Sequence, residues 1–190
     1  GAGHAGSITV NGIVGTDGGD ASDITINSSG SFTVSGSIGT DIGVITLTNT
    51  GGATFQGTVD AQSVVITATT GTVSFEDDLT LETLITTAGG YGVSITGTAN
   101  SVTGDTTFLN TGLITLGNEA GDSLTFAGGL DTRSGSTTRL AGSISSADAG
   151  MDIGAATLMA ATQLSSGTGA LSFSSTVDGG QTLTLNSSGT

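Results

Sequence analysis

The chain has 190 residues, sixteen of them acidic and two basic, for a formal net charge of −14, and it contains no cysteine and no proline. With Arg133 and Arg139 as its only fixed cations, it lacks the clustered Lys and Arg needed to bind phosphate backbones by counterion release or to settle on anionic membranes. Its stability owes nothing to disulfides.

Gly (34), Thr (36) and Ser (24) together fill 94 positions. Such a composition suits a disordered linker, but two features oppose that reading. Apolar residues reach 35%, and they alternate with Thr and Ser in short runs, which is the signature of half-buried strands. Thr and the β-branched apolar residues are themselves strand formers. The absence of proline leaves every ladder donor in place. An all-β chain is expected.

In chain order the recurring element reads apolar, x, small or acidic, x, apolar. It begins as "VNGIV" at 10–14, returns as "VSGSI" at 34–38 and "FQGTV" at 55–59, and loosens to "FEDDL" at 75–79, "ITGTA" at 95–99, "LGNEA" at 116–120 and "LAGSI" at 140–144. The first residues of these copies are 24, 21, 20, 20, 21 and 24 apart. A second apolar run falls between them: "ITIN" at 24–27, "VITLT" at 44–48, "VVITAT" at 64–69, "LITTA" at 84–88 and "TTFLN" at 106–110, with "TLTLN" at 182–186 late in the chain. Gly, Asp and Asn cluster between the runs, as residues that tolerate positive φ at corners. Further loose copies stand at 126–130 and, more clearly, as "FSSTV" at 173–177. The register blurs over 132–166, where a longer coil, an insertion or a helical turn is expected.

A fixed period near 20 with strands at fixed offsets is the mark of a solenoid, each period forming one coil stacked on the next. The expected fold is a single parallel β-helix over residues 1–190, of about nine coils, with coils about 4.8 Å apart and a rod roughly 40 Å long. Phe55, Val59, Phe75, Leu79, Phe173, Val177, Leu183 and Leu185 are expected to point inward. The segment Gly169–Gly189 repeats the order of residues in Gly51–Gly71, so each is read as one full coil. The rival, a pair of immunoglobulin-like sandwiches, wants a large buried aromatic, and this chain has no Trp and one Tyr.

The Gly/Thr/Ser-rich units of the form "GALSFSSTVDGGQTLTLNSSG" resemble the repeats of large bacterial surface proteins, above all the filamentous-haemagglutinin-like adhesins of two-partner secretion and autotransporter passengers. That resemblance covers nearly the whole chain and lies in repeat texture; the secretion-domain motifs of the family are absent. It implies a right-handed parallel β-helix, export across the outer membrane, and a role in adhesion, biofilm or extracellular filaments. The opening "GAGHAG" has neither the basic start nor the apolar stretch of a signal peptide and reads as a mature or excised chain. An extracellular address at the bacterial cell surface is therefore an inference from the resemblance. The expected partners are flanking coils or end-to-end copies of the chain, and surface glycans or proteins of a host or neighbouring cell. Nucleic acid and membrane insertion are not expected.

Catalysis is not expected, and no catalytic residue is assigned. Arg133 and Arg139 in "DTRSGSTTRL" have a spacing that lets them face one another across a coil. "FEDDLTLE" (Glu76, Asp77, Asp78, Glu82) is the densest acidic cluster, which a carbohydrate-active β-helix enzyme would need as a carboxylate pair. The alternative reading of it is a polar corner. Asp17, Asp20 and Asp23 in "GTDGGDASD" place oxygen ligands at short spacing in a Gly-rich loop, as Ca²⁺ prefers; they are the one metal candidate. The runs at Thr46/Thr48, Thr67/Thr69 and Thr86/Thr87 are spaced like an ice-binding Thr-x-Thr ladder. His4 stands alone and is read as inert.

Overall fold

A computed structural model describes residues 6–15 and 21–189. Strand is the only regular secondary structure among them, and every strand pairing is parallel. The chain winds as a β-solenoid of about nine turns. Each turn passes through three faces, here called I, II and III.

Face I is a column of short strands: Ile8–Val10, Phe32–Val34, Ala53–Phe55, Val73–Phe75, Val93–Ile95 and Ile114–Leu116, then the first halves of Thr138–Ser145 and Ala156–Gly167, then Val177–Asp178. The pairing Val10↔Val34↔Phe55↔Phe75↔Ile95↔Leu116↔Leu140 repeats the sequence ruler residue for residue. First and third residues of each strand point inward and the middle one outward, as the two-residue strand period requires. Phe55 and Phe75 are buried and stack face to face, with ring centroids 5.0 Å apart. That separation matches the roughly 4.8 Å rise between neighbouring strands. Phe32 meets Phe55 edge-on at 6.2 Å.

Face II carries Val59, Leu79, Asn100, Leu124, Ile144, Leu164 and Leu185 in register. Asn100 is the one polar residue in this inward column. It is buried, and its side chain bonds the main chain at both ends: Oδ1 accepts from Leu79 N (3.2 Å) and Nδ2 donates to Gly97 O (2.6 Å). A buried amide is tolerated because its polar atoms are matched.

Face III runs from Ser22–Asn27 and Ile42–Thr48 through the second halves of Val59–Ile66 and Leu79–Thr86. It resumes in Thr106–Thr107, Leu130–Asp131, Met151–Ile153 and Leu171–Phe173. The ladder breaks between Leu79–Thr86 and Thr106–Thr107, which belong to different sheets. The buried Thr86 bridges that break: its hydroxyl donates to Thr107 O (3.3 Å) and accepts from Leu109 N (2.7 Å). One side chain there does the work of a missing pair of backbone bonds.

The likeness of Gly169–Gly189 to Gly51–Gly71 is not one of phase. Phe55 lies on face I, whereas Phe173 pairs with Ile153 on face III. Val59 opens face II, whereas Val177 pairs with Ala156 on face I. The 118-residue offset between the segments is not a whole number of turns, so the alternating pattern matches while the faces do not. The run at 182–186 likewise belongs to face II, not to face III with its look-alikes. Six turns on face I carry Ala53 to Val177, 124 residues, through steps that include one of 24 (Ile114 to Thr138) and one of 18 (Thr138 to Ala156), so an offset of 118 falls short of the sixth turn. Residues 132–166 otherwise keep parallel register, with a bulge that sets Leu140–Gly142 against Leu158–Thr162.

Phe55, Val59, Phe75 and Leu79 are buried, as expected. Phe173 and Leu183 are partly buried against the core. Val177 is 39% exposed and Leu185 48%; they hold the inward register of Ala156 and Leu164 but have a neighbouring coil on one side only.

Candidate functional site

Outward side chains form rows, because parallel register stacks equivalent positions of successive coils. On face I the row reads Thr9, Thr33, Thr54, Ser74, Ser94, Thr115, Arg139, Thr157, Asp178. It is a hydroxyl file interrupted by Arg139 and ended by Asp178. The sequence holds its signal, since from Thr9 to Arg139 each stands immediately before the first residue of a run that sets the period; reading from the apolar residue onward passes over them.

The threonines first read as a possible ladder do not form one. Thr46 pairs with Val65, and Thr86 points inward. Thr67 and Thr69 donate their hydroxyls to carbonyls of the preceding coil, at Leu47 and Thr50 (both 3.0 Å). Thr87 does the same at Ile66 and Thr67. These hydroxyls are corner ties.

The acidic cluster divides between two places. Glu76, Asp77 and Asp78 stand at the corner between faces I and II. Glu76 accepts from Gln56 Nε2 (3.4 Å), Asp77 from Asp78 N (2.9 Å), and Asp78 from Ala99 N (2.8 Å) and Thr98 Oγ1 (3.0 Å). Glu82 lies where faces II and III meet. There it lines an open groove of about 440 Å³ with Asp41, Asp60, Gln62, Thr80 and Thr103.

Farther along the same side Asp105, Asp131 and Asp152 line a second groove of about 260 Å³. Asp131 and Asp152 are register partners. Like charges at that spacing repel, and Arg133 lies between them, 2.6 Å from Asp131 Oδ2 and 3.6 Å from Asp152 Oδ2. The hydrogen bonds from Arg133 hold the Asp131 carboxyl below the usual carboxylate range, against a smaller opposing push from burial, and Asp131 raises the guanidinium in turn. Asp152 also accepts the hydroxyl of Ser172. Arg139 sits in the face I row instead, so the two arginines do not face each other.

Of the calcium candidates, Asp17 and Asp20 lie outside the described residues, as does His4. Asp23 is part of a bulge between Ser22–Asn27 and Ile42–Thr48, and its Oδ1 accepts from Val44 N (2.8 Å). Among the described residues no three His, Cys, Asp or Glu side chains gather closely enough to hold a metal ion.

At the corner between faces III and I, Asn49, Thr50, Thr67, Thr69, Ala88 and Tyr91 line an uncharged cavity of about 210 Å³. Tyr91 is buried, and its hydroxyl accepts from Thr87 N (2.9 Å) and donates to Thr87 O (2.8 Å). This pins the loop that forms one wall. Comparison of the chain with family models, with curated proteins and with solved structures gives no match.

Proposed function

We propose that this chain is a non-catalytic shaft segment of a large secreted bacterial surface protein, serving adhesion, biofilm or an extracellular filament. The observation that carries the reading is the parallel register running coil upon coil on face I from Ile8 to Asp178. In such a fold each coil touches only its neighbours, so length is added without redesign and stability accumulates along the rod. The outward rows are mostly Thr and Ser, and the chain has no lysine and two arginines, a composition that is soluble and offers few sites to trypsin-like proteases. Its partners on this reading are further coils of the same kind or copies of itself, with cell-surface glycans or proteins as adhesive targets.

The test is to place the chain between an outer-membrane anchor and a binding head of known specificity on a bacterial display host. A shaft holds the head clear of the surface, so capture by an immobilised target rises when two copies are joined in tandem. Cells that display the chain without the head and attach to host cells or abiotic surfaces would mark it as adhesive itself. If capture is indifferent to copy number and the headless chain does not attach, the reading fails.

A further inference from the structure

We propose that Asn11 is a self-modification site: its side-chain amide cyclises onto the main-chain nitrogen of Gly12 and reopens as aspartate or isoaspartate. Either product adds a negative charge, and isoaspartate also adds a methylene to the main chain. This goes beyond the shaft reading and does not rest on it. Of the chain's seven asparagines, Asn11 is the one followed by glycine. The nitrogen of the following residue is the nucleophile, held next to its target by the chain itself. A Cβ on that residue crowds the approach, whereas glycine has none and turns freely.

The fold sharpens this local chemistry by tying up the nucleophile elsewhere. Thr50 N donates to Ala68 O (3.2 Å), Thr111 N to Gly89 O (2.7 Å) and Glu119 N to Asp122 Oδ2 (3.0 Å), which restrains the nitrogens after Asn49, Asn110 and Asn118. Asn100 is buried with both ends of its amide bonded. Asn11 and Gly12 are both exposed, where the chain leaves Val10 on face I for the corner before Ile13. Among the described residues, neither the Asn11 amide nor Gly12 N makes a hydrogen bond.

In the first step base removes the Gly12 amide proton and the nitrogen attacks Asn11 Cγ. The bond from Cγ to the side-chain nitrogen breaks, and ammonia leaves with a proton, closing an imide ring. Water then adds to one imide carbonyl and restores the Gly12 N–H. Opening at Cγ gives aspartate. Opening at the former main-chain carbonyl carbon leaves the chain running through Cβ and Cγ, as isoaspartate. Nothing is oxidised or reduced.

The corner has no slack for the longer product. Asn11 O lies against Gly36, where a Cβ would not fit, and a Cβ on Gly12 would stand 3.1 Å from Ser37 O. The ties just beyond run from Ile13 N to Ser37 O (3.1 Å) and from Gly39 N to Ile13 O (3.0 Å). An added methylene displaces Ile13 against both, so isoaspartate loosens this coil on the next, while aspartate changes charge alone.

The experiment ages the folded chain at mildly alkaline pH and follows each asparagine by mass spectrometry of peptic peptides. Isoaspartate is located by fragmentation after methyl transfer from S-adenosylmethionine by an isoaspartyl methyltransferase. Asn11 is expected to convert about tenfold faster than Asn49 or Asn118, faster still as pH rises, and to yield isoaspartate. Hydrogen exchange at Ile13 and Gly39 is expected to quicken as the wild-type chain ages. Two variants separate the causes. Asn11→Gln, whose longer side chain closes the ring far less readily, is expected to hold the fresh rate of exchange on ageing. Asn11→Asp, which carries the charge without the methylene, is expected to exchange when fresh as fresh wild type does. Equal conversion at Asn11, Asn49 and Asn118 overturns the proposal, as does conversion without isoaspartate. So does exchange that quickens equally in aged Asn11→Gln, or that is already quick in fresh Asn11→Asp.

Discussion

Phe55 and Phe75, twenty residues apart in the chain, lie ring over ring with centroids 5.0 Å apart and planes 6° from parallel. The two rings lie parallel because the residues are register partners on strands that run parallel in consecutive turns. Removing Phe75 takes away the middle of the buried column Phe55, Phe75, Ile95. Phe75→Ala is expected to cost about 3–5 kcal/mol, seen as a lower urea midpoint. Because coils contact only their neighbours, hydrogen exchange should quicken most in the strands Ala53–Phe55 and Val93–Ile95. Uniform quickening along the rod would refute that locality.

The same substitution at two buried threonines is expected to have opposite signs. Thr138 occupies an inward position in the column Val93, Ile114, Thr138, Ala156, fully buried and with no partner for its hydroxyl. Thr138→Val removes a desolvated, unmatched group and is expected to stabilise by about 1 kcal/mol. Thr86→Val deletes the bridge across the face III break and leaves Leu109 N without its acceptor. It is expected to destabilise by about 2 kcal/mol, with faster exchange of the Leu109 amide. Chemical denaturation of the two variants side by side checks both signs.

Gly57 marks the corner between faces I and II. A Cβ there would stand 2.5 Å from Gly36 C and 2.7 Å from Ser37 N, closer than packed backbone allows. Gly57→Ala is expected to force the coils apart locally and cost about 1–3 kcal/mol. Gly90→Ala meets nothing within 4 Å and is expected to leave the thermal midpoint nearly unchanged. Equal midpoints for the two variants would show that the corner has room to give.

The Asp131–Arg133–Asp152 contact predicts a pH dependence. The folded-state pKa of Asp131 is depressed, first by its hydrogen bonds to Arg133. Its contribution is therefore complete above the ordinary value of 3.8 and disappears as pH falls through the lower folded value. Arg133→Gln is expected to be modestly less stable than wild type at pH 7, the contact being partly exposed, and salt should reduce the difference. Once pH has fallen below the lowered folded value the two should converge. A gap that is constant with pH would mean Arg133 acts by packing and not by charge.

How much of this was legible in the residues is clearest at particular positions. The steps separating Val10, Val34, Phe55, Phe75, Ile95, Leu116 and Leu140 could be read from spacing alone. Each coil repeats one local problem there: a corner rich in small residues, then an inward apolar residue at a fixed offset. Beyond Leu140 that reading slipped, because a 24-residue step, an 18-residue step and the bulge at Gly142 come in succession and break the even spacing without altering the alternation. A two-residue period distinguishes inside from outside but carries no label for which of three faces a strand lies on.

Side-chain roles were the least legible. Asp131 and Asp152, or Thr50 and Tyr91, are brought together by stacking across coils, and no local pattern marks such pairs. "FEDDLTLE" looked like one cluster, yet Glu82 points into a groove on a different side from Glu76–Asp78. By itself, then, the sequence determined the all-β class, the coil length and the identity of most core residues, since these follow from local alternation and turn chemistry. Tertiary structure alone decided which coils are in phase, which hydroxyls are satisfied and which carboxylates meet, because those depend on a neighbour one coil away in space and about twenty residues away in the chain.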